Sequence, residues 1–119
     1  MEAGIRAVLP WAFLGDVGAA VSECALEFGF SVAGTVGGHG VGLAFHEEPL
    51  VSHVSRRGTG MLIVPGMVFT VEPAINGGSS GTYLDAVNGW TIRTADGSPS
   101  AQWESTVCVT DSGCEILAS

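Results

Sequence analysis

His39 and His46 stand in the segment GGHGVGLAFHEEP, residues 37–49, which holds two of the chain's three histidines among glycines, small apolar residues and two acids. Imidazole is a common metal ligand and the side chain whose proton affinity lies nearest neutral pH, so such a pair can hold a cation, carry a proton, or do one each. Two carboxylates join them as candidates: Glu72 closes the stretch PGMVFTVEP, and Glu104 lies within SAQWEST. Strand alternation along MVFTVEP puts Val68, Thr70 and Glu72 on one face and Met67, Phe69 and Val71 on the other. The same rule groups Ser100, Gln102, Glu104, Thr106 and Cys108. Each glutamate is therefore expected among neighbours that are polar but uncharged.

From the residues alone, two arrangements are open. In one, both glutamates face water on an outer sheet surface and His39 is a hydrogen-bonded residue of a glycine-rich loop. In the other, the carboxylates share a site, because a buried acid is normally paired or coordinates a metal. One imidazole with two carboxylates and no thiolate would suit Co, Mn, Fe or Zn.

The elements that would position these groups follow from pattern. Val17, Ala20, Val21, Cys24 and Phe28 recur at helical spacing, with Asp16 as the expected N-cap and Gly29 just past the end. Residues 30–36 have β character, and the four glycines of 37–42 are expected to form a tight loop. Pro65–Gly66 reads as a turn before the MVFTVEP strand, which Pro73 ends. Residues 75–83 form a Gly/Ser loop, GWTIRTADGS a strand with a turn at Asp96–Gly97, and the last twenty residues one long strand, a DSG turn and a return strand. Trp103 is expected in the core opposite the polar face, His53 at the surface or a strand edge, Cys108 as a packed strand thiol, and Glu47 and Glu48 in water. The sum is an α+β arrangement, one main helix followed by antiparallel strands.

Composition bounds the function. A chain of 119 residues with 46% hydrophobic and 13% charged residues can pack one core and is not disordered. Twelve acids against four arginines, a formal charge of −8, make phosphate backbones and anionic membranes poor partners. Three cysteines without CxxC spacing fit reduced thiols in a reducing, cytoplasmic compartment. The apolar start carries Glu2 and no basic flank, which argues against a signal peptide, and no apolar run is long enough to span a bilayer.

The blocks GHGVG, FHEEP, PGMVFTVEP and GWTIRTADGSPSAQWESTVCVTDSGCEIL resemble, in this order, the signature segments of the C-terminal half of type I methionine aminopeptidases, from Leu14 to Ser119. The creatinase and X-Pro dipeptidase relatives share some of these motifs, but SAQWEST and DSGCEIL are closer to the methionine enzymes. The resemblance implies the C-terminal half of a pita-bread fold, a curved antiparallel sheet with one main helix. Residues 1–119 would then form part of a catalytic domain whose N-terminal half is absent.

The same resemblance implies roles. His39 in GHG matches a metal ligand, and Glu72 in FTVEP a metal-binding glutamate also implicated in proton transfer. Glu104 in QWES matches the glutamate shared by two metals. His46 in FHEEP matches the histidine that contacts the scissile amide, and Phe45 and Trp90 match residues lining an apolar methionine pocket. The implied reaction is hydrolysis of the first peptide bond of a nascent polypeptide that begins with methionine, by water that divalent metal ions activate.

Departures from the pattern limit what the resemblance carries. Two aspartate ligands and another histidine of the family lie upstream of the GHG block. Asp85 and Asp96 are eleven apart, as the family aspartates are, yet fall downstream, so the match is taken as coincidence. Ser105 stands where the family usually has histidine, on the strand face opposite Glu104. The expected function is methionine removal, impaired in this chain unless a missing half in trans or self-association completes the site. The alternatives are a non-catalytic module that binds N-termini or dimerises, or an inactive gene fragment.

Overall fold

The computed structural model describes residues 1–119. Two helices come first, α1 (Glu2–Arg6) and α2 (Leu14–Glu27). Ten short strands follow: β1 (Ser31–Val32), β2 (Gly37–Gly40), β3 (Glu47–Ser52), β4 (Val68–Val71), β5 (Ala74–Asn76), β6 (Thr82–Leu84), β7 (Ile92–Thr94), β8 (Ser100–Gln102), β9 (Ser105–Val109) and β10 (Cys114–Ala118). All strand pairs are antiparallel. No helix is long and apolar enough to cross a membrane.

Helix α2 forms where the 3.6-residue pattern predicts it, but it begins three residues earlier than Asp16 as N-cap would set. Phe13 is the N-cap, and Asp16 reaches back from the first turn to accept the Phe13 backbone N–H at 2.8 Å. A second oxygen of Asp16 accepts Gly58 N–H at 2.8 Å, which ties the helix start to the 55–60 loop. The apolar stripe of the helix divides between two clusters. Val17 joins Val8, Leu14, Val51, Ile63, Phe69, Val71, Val107 and Val109 in the main core, while Val21 and Ala25 pack with Val32. Short helix α1 has no counterpart in the sequence expectation, which treated the start only as an apolar run; its Ile5 packs against the main core.

Five strands lie in the order β10-β9-β4-β2-β3, three in the order β1-β5-β8, and β6 pairs with β7 alone. The terminal hairpin β9–β10 and the turn at Pro65–Gly66, with Gly66 at φ +91, form as expected. The GGHG segment does not form the expected loop: it is strand β2. Glycine is needed there for contact, since a Cβ on Gly38 would overlap the carbonyl oxygen of Thr70, and one on Gly40 would overlap that of Glu48. The loop begins after it, at Val41.

The expected long strand through Glu104 is also two strands, belonging to different sheets. Val71 pairs with Ser105 in the larger sheet, and Ala74 pairs with Gln102 in the smaller one. Between these pairs, Glu72–Pro73 on one chain and Trp103–Glu104 on the other belong to no strand. Proline has no N–H to give the ladder, which accounts for a break on the first chain. Both candidate carboxylates thus sit at the seam where two neighbouring chains pass together from one sheet to the other. The break turns Trp103 outward, 66% exposed rather than packed in the core.

Candidate metal centre

The site is built on the central strands of the larger sheet. His39 comes from β2, and Glu72 follows β4, which pairs with β2 at Gly40–Phe69. The His39 Nδ1 lies 2.9 Å from the Gly40 carbonyl oxygen. A carbonyl can only accept, so Nδ1 donates to it, and in the neutral ring Nε2 then presents a lone pair. That lone pair faces Glu72 Oε1 at 3.5 Å. Two acceptors this close, both largely buried, repel each other unless a proton or a metal cation lies between them. Glu104 supplies a third donor, so that one ligand atom from each of His39, Glu72 and Glu104 lies within 4.8 Å of the others. One imidazole nitrogen and two carboxylates are a donor set for a divalent ion of the borderline or hard type. The residues fit such an ion; Glu104, exposed, leaves the centre open on one side.

Neutral groups fix the acid. Thr70 donates its hydroxyl to Glu72 Oε1 at 2.8 Å, and Gln102 donates from Nε2 to Glu72 Oε2 at 3.2 Å and to the Glu72 carbonyl at 3.0 Å. The backbone N–H of Glu72 donates to His53 Nε2 at 3.1 Å. His53 corrects the sequence expectation: it is 1% exposed, beneath the seam and not at the surface. Burial pushes its pKa down to about 4, with the backbone at Val36 working against that shift and the chain N-terminus adding to it. No periodicity marks His53, because it follows β3 in a turn; Thr70 was visible through its two-residue offset from Glu72.

His46 and Phe45 lie on the loop after β2 and cluster with His39 in tilted and edge-on contacts. The His46 ring centroid is 4.2 Å from that of His39, and the Phe45 ring is 4.6 Å from His46 and 5.9 Å from His39. Both are exposed. Trp90 stands elsewhere, on the turn between β6 and β7, 86% exposed, and lines a cavity of about 630 Å³ with Asn76, Arg93 and Gln102. Phe45 does not line that cavity. The structure brings His39, His46, Phe45, Glu72 and Glu104 together; Trp90 connects to them only through Gln102, which bonds Glu72 on one side and borders the cavity on the other.

The remaining acids belong to loops. Asp85 binds Arg93 at 2.7 Å, and that guanidinium holds its carboxyl below the usual range. Asp96 accepts the backbone N–H groups of Ser79 at 2.7 Å and Ser98 at 3.0 Å, which hold it well below that range. Neither reaches the centre, so their spacing has no bearing on it. Ser105 is buried and bonds Ser119 Oγ at 2.7 Å.

Comparison with known proteins agrees with this architecture. The profile of metallopeptidase family M24 matches residues 1–111. Methionine aminopeptidase of Chlamydia trachomatis serovar D is 44% identical over 117 residues, 98% of this chain and 40% of that protein. Methionine aminopeptidase of Escherichia coli strain K12 is 46% identical over 113 residues, 95% of this chain and 42% of that protein. The crystal structure of methionine aminopeptidase from Rickettsia prowazekii superposes with a TM-score of 0.94 at 45% identity, covering 97% of this chain and 46% of that one. The chain thus spans less than half the length of the relatives it matches.

Proposed function

Because the chain belongs to metallopeptidase family M24 and has the α+β pita-bread fold of its relatives, we propose that it serves the hydrolytic removal of N-terminal methionine and forms the C-terminal portion of such a catalytic domain. The observation that carries this reading is the pair of facing acceptors, His39 Nε2 and Glu72 Oε1, with Glu104 closing the set.

His39, Glu72 and Glu104 would hold a divalent ion, with Co, Mn, Fe and Zn all matching the donors. When bound, such an ion supplies Lewis acidity and makes water a nucleophile near neutral pH. The chain's own groups do the rest. Thr70 and Gln102 each occupy one lone pair of the Glu72 carboxylate, leaving it capacity to take a proton from the attacking water. His46, in tilted contact with His39 and open to solvent, donates a hydrogen bond to the carbonyl oxygen of the scissile amide, where charge develops. Phe45 offers apolar surface beside the centre for the methionine side chain, Trp90 offers it on the cavity that borders the centre at Gln102, and the substrate is a polypeptide N-terminus that begins with methionine.

Three protein ligands hold one ion. A second ion needs the two aspartates the resemblance implies, which we assign to a segment outside residues 1–119, in the same polypeptide or in trans. The three-ligand count also favours a second reading, a module that binds metal and N-termini without turnover. The thiols of Cys24, Cys108 and Cys114 are free, which suits the cytoplasm.

Titration with Mn(II) or Co(II) and release of methionine from a Met-Ala-Ser peptide, each for the wild type and Glu104→Ala, separate the readings. Binding and turnover that both fall in the variant support the enzyme. Binding without turnover supports the module, and no binding to the wild type rejects the centre.

A further inference from the structure

We propose that Thr70 is the positioning residue of this centre: its one hydroxyl couples the strand that carries His39 to the carboxylate of Glu72 and holds both donors at the spacing a shared cation requires. The proposal rests on the reading of His39, Glu72 and Glu104 as a metal centre and adds a residue that would touch neither metal nor substrate.

The hydroxyl has one proton and accepts through its lone pairs. It accepts the backbone N–H of His39 at 2.9 Å and lies 2.8 Å from Glu72 Oε1 and 3.5 Å from the His39 carbonyl oxygen. The proton goes to the nearer, charged acceptor, so the two roles do not compete. Strands β2 and β4 share a single paired position, Gly40–Phe69, and the His39 N–H one residue away is held by this side chain instead of by the ladder. Thr70 is 1% exposed, so water has no access to replace its hydroxyl. Its backbone presses so closely on Gly38 that only glycine fits there, which fixes the height of β2 above Thr70.

The other Glu72 oxygen is held by Gln102, an exposed side chain with a longer bond, and so less firmly. Oε1, the atom that faces His39 Nε2, is therefore aimed by Thr70. Without the hydroxyl, two acceptors 3.5 Å apart would separate by rotation of the Glu72 side chain, and the centre would have to be reassembled each time a cation binds.

The test uses Co(II) as probe, with calorimetric affinity and the visible d–d spectrum as readouts, on the full chain and on Thr70→Val, Thr70→Ser and Glu104→Ala. Thr70→Val is expected to bind Co(II) about 10 to 100 times more weakly with an altered spectrum, the usual range for loss of a group that orients a ligand. Thr70→Ser, which keeps the hydroxyl, is expected to restore wild-type affinity and spectrum. Circular dichroism confirms folding, and Thr70→Ala replaces the valine variant if that does not fold. Thr70→Val binding like the wild type, or Thr70→Ser losing as much as Thr70→Val, would overturn the proposal while leaving the metal centre standing. Absence of Co(II) binding to the wild type would overturn both, and unaltered binding by Glu104→Ala would remove Glu104 alone from the set.

Discussion

His53 Nε2 accepts the backbone N–H of Glu72 from beneath the sheet seam, 3.1 Å away, in a site where the imidazole has almost no contact with water. An imidazolium could not accept that bond, so the fold requires the neutral ring.

This makes stability depend on pH in one direction. Burial lowers the folded pKa of His53 from 6.5 to about 4, so the unfolded chain takes up a proton over a range in which the folded chain does not. The contribution is fully present above pH 6.5 and is lost as pH falls toward 4, amounting to about 3 kcal/mol. Urea unfolding of the metal-free protein between pH 7.5 and 4 should show this fall, and His53→Gln should flatten it. Equal slopes for the two proteins would assign the fall to other groups.

Gly38→Ala should destabilise the protein by about 1–3 kcal/mol, the range for forcing extra volume into a packed site, because the new methyl meets Thr70 backbone and not a movable side chain. Chemical denaturation measures it. The equivalent change at exposed Gly113, where a Cβ meets nothing within 4 Å, should be close to neutral.

Phe69→Ala should cost about 3–5 kcal/mol, since Phe69 is fully buried in the main core on a strand paired along both edges. A melting curve that remained cooperative with little shift would show that the core collapses around the gap.

Metal should stabilise the fold by mass action. At a free Mn(II) concentration one hundred times the Kd, thermal unfolding should report about 2.7 kcal/mol of added stability, reversed by chelator. Glu72→Gln should remove most of this gain, because it replaces one of three donors and the charge that balances the ion.

Much of this centre was legible in the sequence wherever local pattern and contact agree. Two-residue alternation put Thr70 beside Glu72, and their side chains are bonded. Turn chemistry located Pro65–Gly66, Asp96–Gly97 and the terminal hairpin. What escaped was set by tertiary contact. Glycines that suggested a loop form β2, because Thr70 and Glu48 approach from both sides and exclude a Cβ. An apolar-polar alternation that continues from Ser100 to Val109 with Ser105 as the exception concealed the change of sheet at Trp103–Glu104, a seam that only the partner strands reveal. His53 carried no pattern at all; its burial follows from lying under residues nineteen positions away.

At the seam Glu72 is tied down by His53, Gln102 and Thr70, and His39 is anchored within a strand, whereas Glu104 stands exposed on backbone outside either sheet. An arriving ion therefore meets two fixed jaws, His39 and Glu72, and a third, Glu104, that can shift by small rotations without unzipping either sheet. Tolerance for cations of different radius is built into such a vice, and selection among them would fall to whatever stiffens its moving side.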